Sequence, residues 1–127
     1  PEPRLGLEIA VEPPEMTQRL LEALGLGIFF VYEKYRETYL LDGTEVMLDE
    51  LPFGCFVEIE GDDLTSVRRV AETLGLAWQE RLPVSYLSLF DRLRRRHGWT
   101  FRDATFANFT GVSVPGVAEL RAASDRP

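Results

Sequence analysis

The sequence predicts an α+β chain built on an antiparallel sheet with helices packed on its outside. Three observations predict it: stretches in which apolar and polar residues alternate, an Asp-Gly pair between two such stretches, and other stretches with apolar residues at helical spacing. Asp-Gly is a strong signal for a tight turn between antiparallel strands, because both residues tolerate the left-handed backbone that the turn needs. Strands joined by such a turn pair with each other.

The first predicted element is a strand that carries apolar residues at every second position, namely Leu5, Leu7, Ile9 and Val11. A helix follows, since Pro13 and Pro14 suit its first turn and Gly25 fits just past its end. Two strands are predicted next, from about Ile28 to Leu40 and from about Glu45 to Leu51, with the Asp42-Gly43 turn between them.

A short connection then leads to a third strand of the sheet, from Phe56 to Glu60. The next helix has Asp63 as its N-cap and ends at Gly75. A last helix is predicted from about Val84 to His97, with its arginines solvated. We divide the chain into a domain of residues 1–97 and an aromatic tail of residues 98–127, which docks on the domain and frays after about Pro115.

Composition excludes several classes of function. A net charge of −7 argues against a nucleic-acid surface, because phosphate backbones are held by clustered Lys and Arg. Cys55 is the only cysteine, so one chain can build neither a disulfide nor a cysteine zinc site, and we expect it to pack as a small apolar residue facing away from the carboxylates. No membrane span or signal region is visible, and we expect a cytoplasmic protein.

Residues 6–27 and 56–77 resemble each other without gaps at an offset of fifty residues. Glu8 aligns with Glu58, and Leu24-Gly25-Leu26 aligns with Leu74-Gly75-Leu76. Each copy consists of one strand that leads into one helix, which is the pattern left by a duplicated unit. Chance similarity between two amphipathic strand-helix units remains the alternative.

Charged residues fall on one face of the predicted sheet, because side chains two apart on a strand point the same way. The set comprises Lys34 and Arg36 on the first of the three strands, Glu45 and Asp49 on the second, and Glu58 and Glu60 on the third. Carboxylates are ligands that Mg²⁺ prefers, and the two cations can bind phosphate oxygens. The set therefore predicts a site for a metal ion and a triphosphate. Cross-strand ion pairs on a solvated face remain the alternative.

Three segments of the chain resemble the C-terminal half of CYTH domains. They are the K-x-R of residues 34–36, the Leu48-Asp49 pair followed by a short connection to Gly54, and the F-x-E-I-E of residues 56–60. Ser85-Tyr86 is similar to the terminal S-Y segment of that superfamily, which includes class IV adenylate cyclases and thiamine triphosphatases. The resemblance extends from about Arg4 to Phe90.

The resemblance implies an eight-stranded antiparallel triphosphate tunnel, or half of one, that acts on nucleoside or other organic triphosphates with Mg²⁺ or Mn²⁺. It implies that Lys34 and Arg36 bind phosphate and take part in catalysis together with Asp49, and Arg4 is added to the substrate-binding residues. The metal ligands that it implies are Glu58, Glu60, Asp49 and Glu8.

The family's opening E-x-E-x-K strand has no counterpart, since Ala10 and Glu12 stand where its second Glu and its Lys should be. A fragment without its first half, a tunnel completed between two chains and a degenerate binding module are the three explanations. The functional hypotheses are therefore a metal-dependent cyclase or triphosphatase, a binding module for nucleotide or polyphosphate without chemistry, and a half-barrel held by a partner. An open sheet leaves edges that invite pairing, so we expect the isolated chain to associate, for example as a homodimer, or to be poorly stable. His97 is expected at a helix end, without a catalytic role.

Overall fold

A computed structural model describes residues 7–125. The chain divides into two compact units, residues 1–30 and residues 31–127. In the first unit, helix α1 spans Pro14–Ala23. The backbone of Gly25, with φ +88°, ends this helix and lets the amide of Leu26 donate to the carbonyl of Leu21.

The strand predicted at residues 5–11 is wrong over its described part, because residues 7–11 form no regular element. Leu5 lies outside the described residues. A strand needs a neighbour for its backbone donors and acceptors, and among residues 7–125 none pairs with this segment. The alternating pattern by itself does not supply that partner.

The second unit contains a three-stranded antiparallel sheet in the order β1-β2-β3, with β1 at Tyr35–Leu41, β2 at Thr44–Leu51 and β3 at Gly54–Glu60. The predicted Asp42-Gly43 turn is confirmed, since the two residues have φ +51° and +75°. A complete barrel is not seen in the described residues, and the sheet is open at β1 and at β3.

Strand β1 begins later than the predicted Ile28. Its first residue, Tyr35, lies opposite Glu50, and β2 ends one residue later at Leu51, after which the chain turns back into β3. Residues 28–34 therefore have no partner on β2, and the isolated bridge of this segment joins Tyr32 to Ala104, outside the sheet. Pairing, rather than the apolar pattern, sets the start of the strand.

Three helices follow the sheet: α2 at Leu64–Thr73, α3 at Tyr86–His97 and α4 at Val117–Ser124, with a 3-10 turn at Trp78–Glu80 after α2. The predicted N-cap of α2 is confirmed, because a carboxylate oxygen of Asp63 accepts from the amide of Ser66 at 2.8 Å. Ser85 caps α3 in the same way, and α3 ends at His97.

The core of the second unit is aromatic. Phe53, from the β2–β3 connection, and Phe90, from α3, lie 5.7 Å apart between ring centroids, and Phe109 of the C-terminal segment packs on both. The aromatic tail thus docks as predicted. The fraying expected after Pro115 is not seen up to residue 125, because Leu120 is buried and Arg92 donates to the carbonyls of Ala123 and Ser124 at the end of α4. Residues 126 and 127 lie outside the described residues.

The prediction for Cys55 has a mixed outcome. Cys55 and Glu58 lie on opposite faces of β3, as predicted from the alternation, but Cys55 is exposed and does not pack, since β3 is an edge strand.

Among residues 7–125, every helix is too short or too polar to cross a bilayer. The boundary between residues 97 and 98 stays a prediction.

Candidate functional site

The pairing of β1 with β2 places Arg36 directly opposite Asp49. Nε of Arg36 donates to Oδ1 of Asp49 at 2.6 Å, and Nη2 donates to Oδ2 at 2.5 Å. The side chain of Asp49 is fully buried, with 0% exposure, whereas that of Arg36 is 29% exposed. A two-point contact of this kind fixes the plane of the guanidinium as well as its position.

Two further groups converge on the buried carboxylate. The hydroxyl of Tyr86, the first residue of α3, donates to Oδ2 of Asp49 at 2.8 Å. Nζ of Lys34 lies 3.5 Å from the same oxygen. The hydrogen bond from Arg36 lowers the pKa of Asp49 to about 2, against the effect of burial, and Tyr86 and Lys34 act in the same direction as Arg36.

The same contacts change the partners of Asp49. The hydrogen bond to Asp49 raises the pKa of Arg36, so the guanidinium stays charged. Burial, with a further contribution from the hydrogen bond to Asp49, raises the pKa of the Tyr86 phenol. At physiological pH Tyr86 is therefore a neutral donor, and Asp49 is an anion.

Lys34 lies just before β1, in a segment that is held without strand pairing. The amide of Glu33 donates to the carbonyl of Ala104, and the carboxylate of Glu33 accepts from the amide of Phe106. The ammonium of Lys34 lies 5.5 Å from the ring centroid of Tyr86 and 5.9 Å from that of Tyr32. Both distances are within the range of cation–π attraction.

Glu58 and Glu60 lie on the same face of the sheet as Arg36 and Asp49. Glu58 pairs with Nη2 of Arg36, and its side chain is 42% exposed. Glu60 is exposed and lies directly opposite Glu45 of β2. Two carboxylates opposite each other on neighbouring strands repel, so this end of the face favours a bound cation.

A cavity of about 720 Å³ lies beside these carboxylates. Glu58, Glu60 and Tyr86 are part of its wall, and the remainder is mostly apolar and includes Phe56, Leu89 and Trp78. Its volume is in the range of pockets that take small organic molecules.

The sequence pattern of the CYTH domain matches residues 2–83, which is more than half of the chain. The chain belongs to the CYTH domain family. No significant match was found among curated proteins or among solved structures. CYTH domains bind triphosphates and generally work with divalent metals, so the charged face of the sheet is the natural place to look for both.

The described residues of this CYTH chain could supply two carboxylate ligands to a divalent cation, but not a complete set of protein ligands. Among residues 7–125, no three carboxylate, histidine or cysteine groups lie close enough to form a ready metal site. Mg²⁺ is often held by only one or two protein carboxylates, and waters and substrate phosphates complete its six ligands. Glu58 and Glu60 fit that arrangement. The metal role of Asp49 stays a prediction, and both of its oxygens already accept hydrogen bonds, Oδ1 from Arg36 and Oδ2 from Arg36 and Tyr86.

The predicted site residues thus fall into three groups. The structure brings together Lys34, Arg36, Asp49 and Glu58, and it places Glu60 on the same face. Glu8 is an exposed residue in the irregular segment before α1, and its metal role stays a prediction. Arg4 lies outside the described residues.

Tyr86 and Tyr32 are the contributors that sequence reasoning missed. The sequence places Tyr86 in the S-Y segment and among the apolar residues of the last helix, and it predicts no contact with Asp49. Its position directly after the N-cap Ser85 was the available signal, because a side chain at a helix start can point at a neighbouring sheet. Tyr32 lies two residues before Lys34, and alternation on the strand predicted from Ile28 places both side chains on one face, which was the available signal.

Proposed function

We propose that this CYTH chain binds the phosphate groups of an organic triphosphate through Lys34 and Arg36, with Mg²⁺ or Mn²⁺ held by Glu58 and Glu60. The observation that carries the proposal is the buried carboxylate of Asp49. It orients Arg36 and attracts Lys34, so that two cations lie on the face that also bears the exposed carboxylates. A simple surface ion pair would not need a fully buried anion beneath it.

The two partners of Arg36 differ in how easily they can be displaced. Asp49 is buried and binds at two points, while Glu58 is 42% exposed and contacts the same guanidinium at its outer nitrogen. An incoming phosphate therefore competes with Glu58 rather than with Asp49. Release of Glu58 makes its carboxylate available for a metal ion. A bound divalent ion would neutralise phosphate charge and align the chain of phosphates.

We propose that this site carries out phosphoryl transfer, in which Lys34 and Arg36 stabilise negative charge on the transferred and leaving phosphates. Attack of water on the terminal phosphorus gives inorganic phosphate and a diphosphate. Attack of a ribose 3′-hydroxyl on the α-phosphorus gives a cyclic nucleotide and pyrophosphate. The apolar wall of the adjacent cavity supports an organic substrate over inorganic tripolyphosphate.

A second candidate is a binding module for nucleotide or polyphosphate without chemistry. It is favoured by the lack, within residues 7–125, of three acidic or other ligand groups close enough to form a metal site. Such a module needs Lys34 and Arg36 but does not depend on Glu58 and Glu60 for its affinity.

Titration calorimetry of the whole chain with ATP and Mg²⁺ tests the shared part of both candidates. We expect Arg36→Met to weaken binding by roughly tenfold or more, because a contact to a charged group contributes about 1.5–3 kcal/mol. Arg95→Met is the matched control, since Arg95 is 75% exposed on α3 and forms its ion pair with Asp91 of the same helix, away from the charged face of the sheet. Equal affinity of wild type and Arg36→Met would contradict the proposal.

Product analysis then separates the two candidates. The enzyme reading predicts metal-dependent release of phosphate or pyrophosphate from ATP or thiamine triphosphate, lost in the Glu58→Gln, Glu60→Gln double variant. Binding that persists in that variant, with no product from the wild type at any metal concentration, supports the binding module instead.

A further inference from the structure

We propose that Tyr86 is a positioning residue that keeps the ammonium of Lys34 available to phosphate, a role that rests on the phosphate-binding function proposed above. Tyr86 itself is not expected to touch the reacting atoms. It acts through Asp49 with its hydroxyl and through Lys34 with its ring.

The hydroxyl contact limits how closely Lys34 can approach Asp49. Oδ2 of Asp49 already accepts from Nη2 of Arg36 at 2.5 Å and from the hydroxyl of Tyr86 at 2.8 Å. Lys34 approaches the same oxygen only to 3.5 Å, which is longer than a normal hydrogen bond to a carboxylate. With two shorter donors in place, Lys34 is attracted to the anion but not consumed by a tight ion pair.

The aromatic rings also attract the ammonium of Lys34. Nζ of Lys34 lies 5.5 Å from the centroid of the Tyr86 ring, and Tyr32 lies on the same cation at 5.9 Å. A cation–π contact attracts an ammonium without occupying its hydrogen-bond donors. The three donors of Lys34 therefore remain largely available to phosphate oxygens.

The backbone around Tyr86 makes this placement firm. Ser85 caps α3 by accepting from the amide of Ser88, and the next turn buries Leu89 and Phe90 in the core. The ring of Tyr86 also packs against Phe56 of β3 at 5.1 Å between centroids. Helix and sheet thus position the same side chain, which ties the geometry of the cations to the packing of α3.

Removal of the hydroxyl is the sharpest test. In Tyr86→Phe the ring stays, but Oδ2 loses a donor, and we expect Lys34 to move onto the vacated position and become less available. Affinity for metal-free tripolyphosphate, measured by calorimetry, should fall roughly fivefold in this variant. Tyr39→Phe is the control, since Tyr39 also donates to a carboxylate, that of Glu37, but on the opposite face of the sheet. It should leave the affinity unchanged.

A double-mutant cycle distinguishes this role from a general effect on folding. If Tyr86 acts through Lys34, Tyr86→Phe should have almost no effect on affinity when Lys34 is already methionine. Equal losses in the two backgrounds would overturn the inference, as would an unchanged affinity of Tyr86→Phe. If Lys34→Met alone leaves binding intact, the proposed function itself fails at this residue. Circular dichroism checks that all variants keep the helix content of the wild type.

Discussion

The two copies of the internal repeat have the same helix and different strands. Helices α1 and α2 span Pro14–Ala23 and Leu64–Thr73, which are equivalent positions at the offset of fifty residues. Their ends also match: Gly25 and Gly75 both have positive φ, and the amides of Leu26 and Leu76 donate to Leu21 and Ala71. The repeated helix end is a local property of the Leu-Gly-Leu sequence.

The strand halves of the repeat differ completely. Residues 57–60 belong to β3 and pair with β2, whereas residues 7–10 form no strand. As a result Glu58 is held beside Arg36, while its equivalent Glu8 is exposed in an irregular segment. Helix α2 buries Val70 and Ala71, and α1 buries none of its residues. A local sequence can thus specify a helix, but a strand and the site on it require a partner.

Shortening one apolar side chain in each helix should give the largest difference between the two copies, measured as the loss in free energy of unfolding. Val70 is 0% exposed and its equivalent Leu20 is 61% exposed. We expect Val70→Ala to lower the free energy of unfolding by about 2 kcal/mol, because it removes buried methyl groups and leaves a cavity. Leu20→Ala should change it by less than about 0.5 kcal/mol. Urea denaturation followed by circular dichroism measures both, and equal losses would show that α1 is buried as deeply as α2.

Low pH should weaken the ion pair between Asp49 and Arg36, which lies beside Glu58 of the second copy of the repeat. The fold lowers the pKa of Asp49 from 3.8 to about 2, so its stabilising contribution is complete above pH 3.8 and is lost as the pH falls through about 2. The difference in unfolding free energy between wild type and Asp49→Asn should be about 2 kcal/mol at pH 7 and should shrink toward pH 2.

Urea denaturation at a series of pH values tests this dependence. Asp62→Asn, which removes an exposed carboxylate from the loop before α2, is the control and should leave the loss in acid unchanged. A difference between wild type and Asp49→Asn that stays constant down to pH 2 would mean that Asp49 is not held as an anion by Arg36.

Substitution of the equivalent residues Glu8 and Glu58 should give the smallest difference between the two copies, measured as the affinity for tripolyphosphate. Glu58→Gln should raise the affinity for metal-free tripolyphosphate by roughly threefold, because Arg36 loses a competing anion whose exposed pair is worth about 0.2–1 kcal/mol. The same variant should lose the gain in affinity that Mg²⁺ gives to the wild type. Glu8→Gln should do neither, since no cation pairs with Glu8 among the described residues. An equal loss of the Mg²⁺ effect in Glu8→Gln would place Glu8 among the metal ligands.

Local signals predicted much of this fold. The Asp42-Gly43 turn, the Asp63 cap and the helix ends at Gly25 and Gly75 all depend on residues close in sequence, and all four are confirmed. The pattern at residues 7–11 failed because it carries no information about a partner strand. Helix α4 was missed because its short apolar stripe is stabilised by contacts with α3, which lie far away in sequence.

The candidate site could be predicted where it depends on alternation along the strands, and not where it depends on the packing of a helix against the sheet. Alternation placed Lys34, Arg36, Asp49 and Glu58 on one face, and the register of the sheet brings them into contact. Tyr86 could not be found this way, because its contact with Asp49 joins residues that are 37 positions apart and depends on how α3 packs. The burial of Asp49, which fixes the position of Arg36, could not be predicted from alternation either.

NMR titration of the whole chain with tripolyphosphate is the most direct test of where phosphate binds. We expect saturable shifts of the backbone amides of Lys34, Arg36 and Glu58, while the amides of α1 and of Glu8 stay in place. Addition of Mn²⁺ to the complex should then broaden the signals of Glu58 and Glu60 first. Saturable shifts confined to other parts of the chain, or none at millimolar tripolyphosphate, would contradict a phosphate site on this face of the sheet.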